Sequence, residues 1–222
     1  MTQLFIKKEN NARLLLFFAG WGSDDCLFRY PVMPGYGYLL CFDYRSFAFD
    51  YSLLDGYKEI RLMAWSMGVW VAACILAGHD YPWKQKLAIN GTMFPIHDTL
   101  GIPCTIYRET LSHFSPSVLA RFRRRMCGSV DMLKIFLAYQ PKRSLFDLQE
   151  ELAVLQKEVE ERDVPSFKWD RCIVGMRDLI FPVKNQLQAW KDIDICKREV
   201  AHYNENLFHN LLMGEENAWI KS

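Results

Sequence analysis

The sequence predicts an α/β fold: a mostly parallel, doubly wound sheet with a helical insertion and one site at the carboxyl ends of its strands. Three observations lead there. Short runs at 13–19, 38–44, 59–65 and 85–89 have the composition of strands buried within a parallel sheet. Helical patterns alternate with such runs along the chain, as at 67–77 and 184–191. Finally, a stretch at 105–163 breaks the alternation with consecutive helices and no convincing strand, as an insertion between two strands would.

Residues 4–7 read as a short strand, Glu9-Asn10-Asn11 as a turn, and 13–19 as a buried strand. Gly20-Trp21-Gly22-Ser23 follows at once, a small-residue loop that either turns the chain or aims backbone N–H groups at a developing negative charge. The run 38–44 is the next strand, and 53–57 is too short to assign. The strand at 59–65 leads through Ser66 into a helix at 67–77, with Gly78 as the glycine that ends it. Another strand, 85–89, runs into Asn90-Gly91-Thr92. Within the insertion Leu148, Leu152, Leu155 and Val159 share one helical face, while Glu150, Glu151, Lys157, Glu158, Glu160 and Glu161 cover the rest. Strands at 171–175 and 196–201 and a last helix from 205 complete the chain. The whole length, 1–222, fits one domain with a lid at about 105–163.

Composition narrows the function. Half the residues are hydrophobic (50%), 24% are charged, and the formal net charge is +1, which excludes a disordered chain and gives no basic excess for nucleic acid. The apolar run at 14–19 is too short to span a bilayer, and residues 1–8 lack a signal-peptide pattern, so the expected location is cytoplasmic. Seven cysteines without a Cys-x-x-Cys pair argue for reduced thiols rather than a disulfide framework or a zinc site.

Ala64-Trp65-Ser66-Met67-Gly68 is a strand, a one-residue turn and a helix with serine at the apex. A hydroxyl is a weak nucleophile, so it must stand clear of the sheet, beside a base and backbone N–H groups. Small residues two before and two after let strand and helix approach closely; alanine replaces the usual first glycine. A serine that merely caps a helix shows the same local pattern, so the partners decide. Asp178 falls just past the strand at 171–175, and His202 follows the strand ending at Val200-Ala201. Serine, acid and histidine thus come in order, each after a strand, as nucleophile, orienting carboxylate and base. His209, on the last helix, is the alternative base. His79, His97 and His113 precede the acid, Asp170, Asp192 and Asp194 read as solvated carboxylates, and His97-Asp98 lacks a second pair of metal ligands.

These segments resemble the BioG family of pimeloyl-[acyl-carrier protein] methyl ester esterases. The residues that carry the resemblance are Gly-Trp-Gly after the strand at 14–19, Met63-Ala64-Trp65-Ser66-Met67-Gly68-Val69-Trp70, and Ile89-Asn90-Gly91-Thr92. Further matches are Gly101-Ile102-Pro103, Arg123-Arg124-Arg125-Met126-Cys127-Gly128, Arg177-Asp178-Leu179-Ile180-Phe181 and His202-Tyr203. The resemblance implies an α/β-hydrolase fold with a helical lid, and hydrolysis of the methyl ester of pimeloyl-acyl carrier protein in biotin synthesis, with no metal or organic cofactor. It implies Ser66 as nucleophile, His202 as base, Asp178 as acid, and the N–H groups of Trp21 and Met67 as oxyanion donors. Ala19-Gly20 departs from the His-Gly of many hydrolases, which matters little where backbone groups do the binding. Another acyl hydrolase on this scaffold, a thioesterase or small-ester esterase, is the nearest alternative, and a silent binding module a more distant one.

Acyl carrier proteins present an acidic helix. Arg121, Arg123, Arg124 and Arg125 cluster in the expected lid, with Lys134, Lys142 and Arg143 nearby, and offer either a carrier-protein contact or a solvated face paired with the acidic run 150–163. Trp21 and Trp65 are candidates for walls of the acyl channel, with Trp70 in the core.

Overall fold

The computed structural model describes residues 1–9 and 12–219; the turn expected at 9–11 lies largely outside them. Seven strands, β1 (Thr2–Lys7), β2 (Arg13–Phe18), β3 (Gly37–Phe42), β4 (Glu59–Trp65), β5 (Trp83–Ile89), β6 (Arg171–Gly175) and β7 (Asp194–Arg198), form one sheet in the order β1-β3-β2-β4-β5-β6-β7. The first strand pairs antiparallel with β3, and every other pairing is parallel. Central strands β2, β3 and β4 are buried along almost their whole length, which is why they read as apolar runs without alternation. From β2 the chain steps outward to β3 and then back across β2 to β4. Such a reversal opens a crevice at the carboxyl ends of the strands, and the loops after β2 and β4 flank it.

Helix α1 (Met67–Leu76) is buried on nearly every side and ends before Gly78, whose φ of +78° suits glycine. Between β5 and β6 come α2 (Cys104–Ser112), α3 (Pro116–Cys127), α4 (Val130–Ala138) and α5 (Leu145–Glu161). Serines open three of them: Ser115, Ser129 and Ser144 accept from the N–H groups of Val118, Met132 and Asp147. Helices α6 (Val183–Ala189) and α7 (Glu205–Met213) follow β6 and β7. The unassigned stretch near 53 contains a single 3-10 turn, Tyr51–Leu54.

Two expectations need correction. The last strand lies earlier than 196–201, because β6 ends at Gly175 opposite Arg198 and offers no further partner. Residues 199–201 leave the ladder, although the Arg177 N–H still bonds to the Val200 carbonyl (3.0 Å), so His202 arrives on a loop. In α5, Leu148, Leu152 and Leu155 are buried as expected, but so is Glu151, at 0% exposure. Arg143, read from sequence as part of a basic surface, is the buried partner of that carboxylate (2.6 Å). Among the described residues, no helix is long and apolar enough to cross a membrane.

Candidate active site

Ser66 sits at φ +59°, ψ −130°, a region costly for any side chain with a Cβ. The turn is held by what it touches. A Cβ at Gly68 would run into the carbonyl oxygens of Phe18 and Ala19, so only glycine lets α1 dock on the end of β2. The Ser66 N–H donates to the Ile89 carbonyl (2.9 Å), tying the apex to β5. Ala64 is fully buried, so the methyl at the first small position is accommodated.

The three expected side chains converge. His202 Nδ1 lies 2.8 Å from Asp178 Oδ2, and His202 Nε2 lies 2.9 Å from Ser66 Oγ. With the proton on Nδ1 donated to the carboxylate, Nε2 is left to accept from the serine hydroxyl. All three are buried. Asp178 Oδ1 also accepts from the N–H groups of Ile180 (2.8 Å) and Phe181 (3.0 Å), and Oδ2 from Gln186 Nε2 (3.0 Å). The carboxylate is therefore fixed before the histidine reaches it. The Phe181 ring lies parallel to the imidazole at 5.9 Å, and the Trp65 ring is tilted against it at 5.2 Å. His209, the alternative base, stands edge-on to Tyr30 instead.

Three supporting residues, Asn90, Gln186 and Glu151, had no role in the site assigned from sequence, and a fourth, Trp65, has one beyond that expected. Asn90 donates through Nδ2 to the carbonyls of Ala201 (3.2 Å) and His202 (2.9 Å) and accepts from the Gly175 N–H (2.7 Å). It stitches the histidine loop to the end of β6, and its place in an Asn-Gly pair at a strand end was the available signal. Trp65, expected in a channel wall, donates its indole N–H to the His202 carbonyl (3.0 Å). Gln186 and Glu151 carried no signal, since a lone amide or carboxylate in a helical pattern reads as surface.

Around Ser66 opens a cleft walled mainly by Ile102, Ile106, Tyr107, Phe122, Leu152 and Ile180. Burial raises the Tyr107 phenol well above its ordinary value, and its hydroxyl donates to the Leu152 carbonyl (2.9 Å), so it serves the wall as a neutral group. Trp21 and Met67 line the cleft beside the serine. Among the described residues no acceptor takes the backbone N–H of either. Trp70 is core, packed edge-on to Phe47.

The arginine cluster on α3 is divided. The side chains of Arg121 and Arg124 are exposed and have no ion-pair or hydrogen-bond partner among the described residues. Arg125 lies at the cleft and donates to the Leu179 carbonyl (2.6 Å). Arg123 is half-buried, bonded to Gln140 (2.9 Å) and 5.5 Å above the Phe136 ring, and its burial lowers the guanidinium's affinity for a proton. Of the cations expected nearby, Lys134 pairs with Asp131 (3.4 Å), while Lys142 meets Asp24 only through its backbone N–H (2.6 Å). Asp98 caps α2 by accepting from the Cys104 N–H (2.8 Å). Among the described residues, one group of three possible metal ligands occurs, Asp24, Asp25 and Cys26, and Asp24 is already engaged by the N–H groups of Cys26 and Lys142.

Lipase-esterase related protein from Clostridium acetobutylicum shares the fold at TM-score 0.62 and 14% identity, over 96% of this chain and 94% of that one. The crystal structure of BioG from Haemophilus influenzae matches at TM-score 0.89 and 31% identity, over 96% of this chain and all of that one (100%). A Bacteroides fragilis protein named malonyl-[acyl-carrier protein] O-methyltransferase is 44% identical over 195 residues. That match takes in 87% of this chain but spans 40% of the length of the relative. The family model described as pimeloyl-ACP methyl esterase BioG matches residues 1–213, and the chain belongs to that family.

Proposed function

We propose that the chain is a serine carboxylesterase that removes the methyl group from pimeloyl-[acyl-carrier protein] methyl ester, giving the free carboxylate and methanol. The observation that carries this reading is the continuous relay from Asp178 through His202 to Ser66 at the foot of an apolar cleft. Ser66 Oγ attacks the ester carbonyl while His202 Nε2 takes its proton. The tetrahedral oxyanion is bound by the N–H groups of Trp21 and Met67, each contributing about 3 kcal/mol to the lowered barrier. His202 then delivers the proton to departing methanol, and water, activated by the same nitrogen, releases the acid. Asp178 holds the imidazole in the tautomer that both half-reactions need. No cofactor takes part, and work on a carrier-bound intermediate suits a cytoplasmic enzyme.

The apolar walls suit a straight methylene chain, and the helical segment α2–α5 serves as the lid over it. Arg121 and Arg124, free and exposed, with Arg125 at the mouth and Arg123 behind them, form the face that meets the acidic carrier protein. The methyl transfer named for the Bacteroides relative is assigned to the part of that protein beyond this match, because a serine activated by histidine serves acyl transfer and not methyl transfer. The test is to incubate methyl pimeloyl-carrier protein with the enzyme and weigh the product. A net mass decrease of one CH₂, from methyl ester to acid, is expected; loss of the whole acyl group would make the chain a thioesterase, and an unchanged mass would overturn the reading.

A further inference from the structure

The loop that carries Trp21 is held from outside the sheet. Glu151, in the second turn of α5, is fully buried beneath it. One carboxylate oxygen, Oε2, accepts from the Gly22 N–H (3.2 Å) and from Arg143 Nη1 (2.6 Å). The other, Oε1, accepts from the Tyr44 N–H (2.8 Å). Tyr44 in turn donates its hydroxyl to the Ala19 carbonyl (2.6 Å), at the start of the same loop. Trp21 sends its indole N–H to the Leu148 carbonyl (2.9 Å), one turn earlier on α5. Arg143 continues outward to Asp43 (2.8 Å), Asp43 pairs with Arg45 (2.7 Å), and Arg45 returns to Asp147 and Glu150 of α5. The loops after β2 and β3 and the helix α5 are thus joined by one charged network.

A buried carboxylate is costly unless it is fully bonded, and here burial raises the Glu151 proton affinity against the pull of Arg143. Its position suggests what the arrangement achieves. Gly22 has φ +74°, so the peptide after Trp21 is turned in a way that a glycine permits and a bonding partner must fix. An oxyanion donor acts through placement, and displacement by about 1 Å costs on the order of a hundredfold in rate.

We propose that Glu151 is a positioning residue for the oxyanion loop: its carboxylate, through the N–H groups of Gly22 and Tyr44, sets the place of the Trp21 N–H relative to Ser66. The inference rests on the reading of that N–H as an oxyanion donor. Glu151→Gln keeps the shape but turns an amide NH₂ toward a donor: facing Tyr44 it loses one of the three bonds, and facing Gly22 and Arg143 it loses two.

Three readouts separate positioning from simple support of the fold. On p-nitrophenyl butyrate, Glu151→Gln should lower kcat about 10- to 100-fold with KM nearly unchanged. A boronic acid that forms a tetrahedral adduct on Ser66 should lose affinity by the same factor, while inhibition by dimethyl pimelate, which makes no charged adduct until it reacts, should stay constant. Hydrogen exchange of the segment 19–24 should rise. Should the single variant fail to fold, Glu151→Gln with Arg143→Met removes the unpaired charge as well and should show the same loss of boronate affinity. A folded variant with wild-type kcat, boronate affinity and exchange at Gly22 would overturn the proposal alone. Wild-type protein without any Ser66-dependent ester hydrolysis would overturn it together with the function on which it rests.

Discussion

Ser66, Asp178 and His202 stand on three loops at the ends of parallel strands, whereas the roof of their cleft draws on α2, α3 and α5, three of the four helices inserted between β5 and β6. The floor is held mainly at backbone groups: the Ser66 N–H on Ile89, the docking of α1 at Gly68, and the Gly175 N–H and His202 carbonyl that the Asn90 side chain bridges. The roof is positioned by side chains, and unevenly. Helix α5 is tied to the sheet by the Glu151–Arg143–Asp43–Arg45 network. Helices α3 and α4 pack chiefly on each other, and Val130, Leu137 and Tyr139 stay exposed there. A floor built from backbone geometry is largely indifferent to single surface changes, while a roof built from charge responds to pH, salt and partner.

The largest effect should come from the floor. Asp178→Asn leaves the packing of the loop in place but frees the imidazole to take the wrong tautomer, and kcat should fall about 10³- to 10⁴-fold with little change in KM. A loss no greater than tenfold would mean that another group orients His202. A smaller and more selective effect belongs to the roof. Arg121→Glu with Arg124→Glu should raise KM for the carrier-bound ester about tenfold, flatten its salt dependence, and leave turnover of p-nitrophenyl butyrate unaltered. Equal loss on both substrates would mean that the arginines support the fold of α3 instead.

The smallest effect concerns stability against pH. Burial opposes ionisation of Asp43, but the guanidinium groups of Arg45 and Arg143 prevail and hold its carboxyl below the ordinary value. A depressed acid contributes stability that is present above its unfolded pKa and lost as pH falls through the folded one. Glu151 has the opposite sign: its raised affinity for protons makes the folded state dearer as pH rises through the ordinary carboxylate range. Thermal melts of Asp43→Asn should therefore fall less steeply below about pH 4 than those of wild type. An unchanged acid limb would show that the network does not tie the roof to the sheet.

The floor was far more legible in the sequence than the roof. Buried parallel strands announce themselves as apolar runs, and a serine between small residues marks the sharp turn, because both follow from local sterics. Order along the chain then pointed to Asp178 and His202. The end of β7 was misplaced because the pattern of Arg198, Glu199 and Val200 does not reveal where the neighbouring strand stops. Glu151 and Arg143 were read as surface, since helical periodicity ranks a carboxylate by polarity and is blind to a cation or two free N–H groups waiting underneath. Trp65 was assigned to a wall for the same reason: its size was visible, and the His202 carbonyl that its indole meets was not.

The central claim is that Ser66 is the nucleophile for a methyl ester carried by a protein. Mass spectrometry of methyl pimeloyl-carrier protein after incubation with wild type and with Ser66→Ala tests it most directly. Wild type should release methanol and lower the mass of the acyl-carrier by one CH₂, and Ser66→Ala should not on the same time scale, whereas ester hydrolysis at an undiminished rate by Ser66→Ala would contradict the account.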